Sequence, residues 1–308
     1  MAKKYDSVII VGPTASGKTK LSIELAKLLN SEIISVDSQQ LISGLDIGTA
    51  KVTTKEMGGI KHHLLDVVKV GDDFSVSEFR NKCMKIIDDI KAQNKLPIIV
   101  GGTGLYVNSL IYNYTFGNTS KDEELRNYYF KIANEKGNAY VYDVLLQLDP
   151  DAAKQIHPNN LKRVIRAIEI AKGGTIKKSQ QVITKNPNLN PLIIGLNPSR
   201  ETLFKNIDIR VDKMIEDGLQ NETDKLYNNG VYNSNIILPI GYSEWLPYYN
   251  GEKSIKEVVE QIKLDTRHYA KRQLTWFKKL GNVNWFNPEI TPLNDILNSI
   301  MQTLNGSN

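Results

Sequence analysis

The chain has 308 residues, 41% hydrophobic and 24% charged, which is enough apolar material for a large core and excludes a disordered polyelectrolyte. A single cysteine, Cys83, rules out an internal disulfide framework and fits a reducing, cytoplasmic setting, with the thiol as a small buried hydrophobe. The formal net charge of +5 permits an anionic partner, nucleic acid included, without demanding one.

The first apolar run, at 7–11, is too short for a signal segment or a membrane span and reads as a strand. It leads into Gly12, Pro13, Thr14, Ala15, Ser16, Gly17, Lys18 and Thr19, which satisfy G-x-x-x-x-G-K-[ST], and a helical run at 21–29 follows. Strand before and helix after make this a P-loop that holds a diphosphate or triphosphate. The glycines let the backbone aim several N–H groups at one anion, Lys18 adds a full charge, and the Thr19 hydroxyl is a ligand for Mg²⁺.

A second strand, 33–36, ends in Asp37, Ser38, Gln39 and Gln40. At the carboxyl end of a parallel strand Asp37 suits three roles equally: general base, outer-sphere partner of Mg²⁺, or N-cap of the next segment. The glycine-containing turn at 46–51 follows, and then His62 and His63. Neighbours in an extended segment point to opposite faces, so one metal ion cannot use both histidines. The strand at 97–100 exits into Gly101, Gly102, Thr103 and Gly104, where an ordinary nucleotide hydrolase would carry an acidic Mg²⁺ ligand, and no guanine-reading Asn-Lys-x-Asp follows Asn94-Lys95. A generic ATPase or GTPase is disfavoured.

From about Phe116 the pattern becomes helical and punctuated, at Asp149-Pro150, His157-Pro158, Gly173-Gly174 and Asn186-Pro187. The division expected is a catalytic core of residues 1–116 plus 190–308 and a helical insertion over 117–189. Within the insertion Lys162, Arg163 and Arg166 lie on a helix with its apolar residues on another face, which taken alone is an ordinary solvated face. A strand at 192–196 precedes helices over 200–217, 221–228 and 255–280 and one from Pro292. The alternation of strands and helices predicts an α/β fold, a P-loop NTPase-like parallel sheet flanked by helices, with a mostly helical insertion domain. In the long helix, cations alternate with aromatics from Arg267 to Lys279. Trp276 and Phe277 are core candidates, and Lys271 and Arg272 are candidates for RNA.

Taken together, GPTASGKT, DSQQ with DIGTAK after it, GGTGLYV from Gly101, HPNNLKRVIRAIE from His157, Ile240-Gly241-Tyr242 and TRHYAKRQLTWF from Thr266 resemble the tRNA dimethylallyltransferases, also called tRNA isopentenyltransferases. The resemblance runs from about Val11 to Trp285. It implies transfer of a dimethylallyl group from dimethylallyl diphosphate to N6 of the adenosine just 3′ of the anticodon. The P-loop would hold the donor's diphosphate, Asp37 would be the base, Thr103 would help hold donor and acceptor, and Arg210 would bind the diphosphate beside Lys18. The tRNA anticodon stem-loop would meet Asp37, Ser38, Gln39 and Gln40, Arg126, Lys162, Arg163, Arg166, Gly241 and Tyr242, and the working unit would be a cytoplasmic monomer with Mg²⁺ and no membrane association. The sequence departs from the family pattern at Leu41, Ile42 and Ser43, where an aromatic and a cation are usual, and at Ser243, where a cation is usual.

The chemistry matches these residue types. An exocyclic adenine amine is a weak nucleophile whose proton must go to a base, and a departing diphosphate needs cations and amides around it. Two other activities use the same cradle: prenylation of free adenine nucleotides, which needs no basic insertion, and phosphoryl transfer by a small-molecule kinase.

Overall fold

The computed structural model describes residues 4–114, 122–173, 178–180, 183–234 and 236–306. Phe116, where the helical pattern begins, and Gly174 of the Gly173-Gly174 punctuation lie outside the described residues. The chain divides into two compact units, Met1–Ile111 with Asn186–Asn308, and Tyr112–Lys185.

The first unit opens with β1 (Ser7–Val11), every residue of which is buried. A strand covered on both faces needs an unbroken apolar run, and this one is paired in parallel on both edges. α1 (Lys18–Leu29) starts from Gly17, whose φ of 93° is left-handed, with no side chain capping its first amides and no acid in its first turn. Those amides are left free to face an anion. β2 (Ile33–Ser35), the short α2 (Thr54–Met57), β3 (His62–His63), α3 (Val76–Ala92), β4 (Ile98–Gly101) and α4 (Gly104–Ile111) complete the first half. Cys83, on α3, is fully buried, and burial pushes its thiol pKa up, as suits a structural residue.

The second unit begins at β5 (Tyr112–Tyr114). It continues through α5 (Glu123–Lys136), α6 (Asn138–Leu148), α7 (Pro150–Lys154) and α8 (Leu161–Gly173) to β6 (Ile183–Lys185). Its core is built from Tyr129, Val141, Leu145, Val164, Ile165 and Ile168. The unit starts and ends earlier than residues 117–189, because β5 and β6 form an antiparallel pair with Tyr112 opposite Lys185. Three-residue strands with polar or aromatic content carry no signal that distinguishes them from loop.

The first unit resumes with β7 (Pro191–Leu196), α9 (Arg200–Glu216), α10 (Leu219–Asn228), α11 (Leu246–Tyr249), α12 (Ile255–Phe277), β8 (Val283–Phe286) and α13 (Leu293–Asn305). Its sheet has the order β3-β2-β4-β1-β7-β8 with all pairs parallel. One hydrophobic cluster joins the sheet to α1 and α13, and another gathers residues of α9, α10 and α12 around Tyr242 and Trp245. A bidentate Arg267–Asp208 pair ties α12 to α9. The carboxyl ends of β1, β2 and β4 therefore point to one edge, where parallel α/β sheets bind ligands. No described helix is long and apolar enough to cross a membrane.

Candidate active site

That edge opens into a cavity of about 530 Å³, whose walls include the P-loop from Thr14 to Thr19, Asp37, Gln39, Gln40, the turn at Gly48 to Ala50, and Arg210. Every one of these residues belongs to the first unit. Ala15, in the middle of the loop, holds a left-handed φ of 61°, and the buried Ser16 hydroxyl finds no hydrogen-bond partner among the described residues. Among the described residues, a buried orphan hydroxyl and uncapped helix amides on one loop are what an anionic ligand would satisfy.

Lys18 donates to the Pro13 carbonyl at 2.6 Å, and Arg210, arriving from α9, donates to the Thr14 hydroxyl at 3.2 Å. Burial and the neighbouring Arg210 pull the Lys18 pKa down to about 7, against an upward pull from Asp37. Burial lowers Arg210 too. Asp37 moves the opposite way: burial raises its carboxyl above the ordinary range, although the Gln39 amide, Lys18, the Gln40 amide and Arg210 each favour the anion. Two cations and one carboxylate thus share a desolvated pocket, where Asp37 favours the charged form of Lys18 and Arg210 and they favour its own, while Arg210 disfavours the charge on Lys18.

The DSQQ turn is held from below. Asp37 accepts from the Gln39 amide at 3.0 Å, the Ser38 amide donates to Thr103 Oγ1 at 3.0 Å, and Gln40 bridges the Ser35 hydroxyl and the Ala50 carbonyl. Asp37 is therefore no helix N-cap, since the residues after it form turns. Thr103 supports that turn and is not among the residues of the cavity wall.

The turn at 46–51 borders the cavity, and it is fixed in part by Glu222, a residue the sequence did not single out. Glu222 on α10 accepts from the Asp46, Ile47 and Gly48 amides, and the Tyr242 hydroxyl donates to the same carboxylate. Lys51, almost entirely buried, bridges Asp46, Asp66 and the Ile42 carbonyl. A Cβ on Gly48 would lie 2.5 Å from the Tyr242 ring. The expectation for Tyr242 is corrected here: it is 0% exposed and its hydroxyl is engaged, so its side chain has no surface for RNA and serves the turn instead. Gly241, next to it, reaches the cavity wall.

The basic residues fall in two places. In the second unit Lys162 and Arg163 are exposed on α8, whereas Arg126 and Arg166 both bind Glu169, a carboxylate 1% exposed. In the first unit Lys271 and Arg272 are exposed on α12, Lys271 with its ammonium 5.8 Å from the Phe204 ring and Arg272 over Tyr269. Phe277 is fully buried, and Trp276 is half-buried. His62 and His63 occupy β3, where His63 contacts Glu32 at 2.7 Å and His62 contacts the Ile60 carbonyl at 2.9 Å.

Gln273 and Glu222 are the functional candidates that sequence reading passed over. Gln273 had a signal: it falls at helical spacing on the face that buries Ala270 and Phe277, and a lone amide there must meet a polar partner. For a cation, the chain's available donor at the cradle is the exposed Thr19 hydroxyl, and no three His, Cys, Asp or Glu side chains converge among the described residues. Such a donor set fits Mg²⁺ held mainly by phosphate oxygens and water.

A parallel sheet with a P-loop at its edge, a strand-end carboxylate facing two cations and glycines in place of the usual hydrolase acid defines a P-loop enzyme of the group-transfer kind. The family model described as IPP transferase matches residues 40–280, and the chain belongs to that family. It is 50% identical to the tRNA dimethylallyltransferase of Acetivibrio thermocellus over 286 residues, 92% of this chain and 91% of the relative. The crystal structure of the tRNA isopentenylpyrophosphate transferase of Bacillus halodurans superposes with a TM-score of 0.73 at 41% identity, covering 98% of each chain. A eukaryotic dimethylallyltransferase acting on tRNA superposes with a TM-score of 0.74 at 28% identity, covering 98% of this chain and 84% of that one.

Proposed function

We propose that this enzyme transfers the dimethylallyl group of dimethylallyl diphosphate to N6 of the adenosine immediately 3′ of the anticodon in tRNA, releasing diphosphate. The observation that carries the reading is Asp37, a carboxylate set in the same cavity as Lys18 and Arg210 of the diphosphate cradle. Family membership and the tRNA-acting relatives support the acceptor.

The diphosphate sits against the amides of Ala15 to Thr19, with Lys18 and Arg210 supplying positive charge. Val211, Met214, Ile240 and Ile262 add an apolar stretch to the same cavity, suited to a five-carbon tail. The adenine is turned out of the anticodon loop, at a cost of a few kcal/mol, and meets Asp37 to Gln40. As N6 bonds to C1 of the donor, the C1–oxygen bond breaks, the amine proton passes to Asp37, and the charge growing on the bridging oxygen is met by Lys18, Arg210 and the loop amides. Thr19 would hold Mg²⁺ on the diphosphate, where the ion adds positive charge to the leaving group. Thr103 acts through Ser38, keeping the turn that carries Asp37 in place.

Lys162, Arg163 and Arg166 on α8 and Lys271 and Arg272 on α12 neutralise tRNA phosphates, with Arg126 orienting Arg166 through their shared Glu169. All the groups in the reaction come from one chain, which supports a monomer as the working unit, and a tRNA substrate supports a cytoplasmic setting. Mass spectrometry of nucleosides from tRNA incubated with the protein and dimethylallyl diphosphate tests the reading. N6-dimethylallyladenosine is expected, and its absence from every tRNA offered would refute it.

A further inference from the structure

One side chain in the cavity wall has no part in the steps above. Gln273, on α12 and 4% exposed, accepts through Oε1 from the Thr14 amide at 2.8 Å and donates through Nε2 to the Gly102 carbonyl at 3.0 Å. A single side-chain amide therefore joins the P-loop to the turn that leaves β4. The two bonds also fix its orientation, because a flipped amide would set oxygen against the Gly102 carbonyl and its NH₂ against the Thr14 N–H.

The bond to Thr14 takes an amide out of the cradle. That N–H is committed to Gln273, so the grip on a diphosphate falls to the later loop amides with Lys18 and Arg210, and Gln273 adds nothing to it directly. The other bond leads toward the base. A Cβ built on Gly102 would lie 2.2 Å from Gln273 Nε2 and 3.6 Å from Asp37 Oδ2, so the Gly102 backbone is wedged between the two side chains. The next residue, Thr103, takes the Val36 carbonyl with its amide and the Ser38 amide with its hydroxyl, on either side of Asp37 in sequence. Tyr269, one turn earlier on α12, has its hydroxyl beside both Thr103 and Gln273.

We propose that Gln273 is a positioning residue which sets the separation between the diphosphate cradle and Asp37, an inference that rests on the transferase reading above. Loop and base belong to two strand ends, β1 and β2, with β4 between them. The sheet fixes the strands, while the loops beyond their ends need a tie of their own. Proton transfer and departure of the diphosphate occur in one transition state, so an error in their spacing appears in turnover. A displacement of about 1 Å is enough for roughly a hundredfold loss.

The test compares the unaltered chain with Gln273→Met and Gln273→Glu, measuring dimethylallyl transfer to tRNA, thermal unfolding and binding of inorganic diphosphate by calorimetry. For Gln273→Met the expectation is a cooperative melt, diphosphate affinity within about threefold of the unaltered chain, and kcat lower by about 10². Unchanged kcat in folded Gln273→Met, or a loss that appears wholly as weaker diphosphate binding, would overturn the positioning role.

Gln273→Glu keeps the size and supplies the second arm. Its protonated form restores one donor and one acceptor, while its anion sets a negative oxygen against the Gly102 carbonyl in a corner it shares with Asp37 and Tyr269, with Lys18 and Arg210 in the same cavity. Its kcat relative to the unaltered chain is expected to rise as pH is lowered, although the Asp37 base works less well there. A ratio that does not change with pH would overturn the proposal even if Gln273→Met fails to fold. Absence of transfer by the unaltered chain would instead overturn the transferase reading, and the role of Gln273 with it.

Discussion

Lys18 and Asp37 pull their pocket in opposite directions on the pH scale. The proposed base must be ionised, and burial raises Asp37, so turnover should climb with pH above the usual carboxylate range. The cradle needs Lys18 charged, and its pKa of about 7 means that the free enzyme loses donor affinity as pH rises through that value. A bell-shaped kcat/KM for dimethylallyl diphosphate is expected at constant ionic strength. Asp37→Asn should flatten the acid limb and lower transfer by roughly 10² or more, with tRNA binding retained in a filter assay. Lys18 also weighs on stability. Its folded pKa lies below the unfolded value of 10.5, so the cost of holding it charged is full below about pH 7 and fades as pH rises toward 10.5. Lys18→Met should therefore melt higher than the unaltered protein near neutrality, with the gain shrinking in alkali, while diphosphate binding is lost. The identities of both residues were legible from the P-loop spacing and the strand-end acid. Their pKa shifts were not, because the side chains that bury them arrive from α9 and α12, more than 170 residues downstream.

The turn at 46–51 shows what an element owes to distant anchors. Glu222 collects three of its amides and Tyr242 fills the space beside Gly48, so the segment has a fixed shape without regular secondary structure. Gly48→Ala should cost about 1–3 kcal/mol, since a buried ring has nowhere to move, read as a lower melting temperature. Glu222→Gln should lower stability less and raise KM for tRNA more than for the donor, because the turn would lose its register beside the acceptor side of the cavity. Kinetics with each substrate varied in turn checks this. The sequence marked 46–51 as a glycine-containing turn without showing what fixes it, and the family resemblance put Tyr242 on the RNA, since nothing in the sequence tells a buried aromatic from an exposed one. The strands legible as apolar runs are those buried on both faces. β8 escaped because its two middle residues are exposed, and β3 because two histidines carry no strand pattern at all.

At the scale of the molecule, the two segments of the first unit meet where the second is inserted. The Asn186 amide donates to the Ile111 carbonyl at 2.8 Å, and its side chain donates to Leu110. A short linker joining Ile111 to Asn186 should therefore give a folded protein that still binds inorganic diphosphate by calorimetry and no longer prenylates tRNA. Affinity of the full chain for tRNA should fall steeply with added salt, as counterion release requires, and a flat dependence would count against the basic residues named here. The helical insertion was legible from composition and punctuation, but its limits were set by the β5–β6 pair.

The place of β1 in the sheet has a consequence in time. Ile9 pairs with Ile99 on one side and with Ile193 on the other, so the strand that carries the cradle is completed by partners roughly 90 and 180 residues away along the chain. A nascent chain that has just emerged through residue 190 already contains the P-loop, the base and the whole insertion, yet it lacks β7, Arg210 and Gln273. At about 5–20 residues per second, the 83 residues from there to Gln273 take roughly 4–17 s. Until β7 has emerged β1 has an open edge, and the hold on diphosphate waits for Arg210.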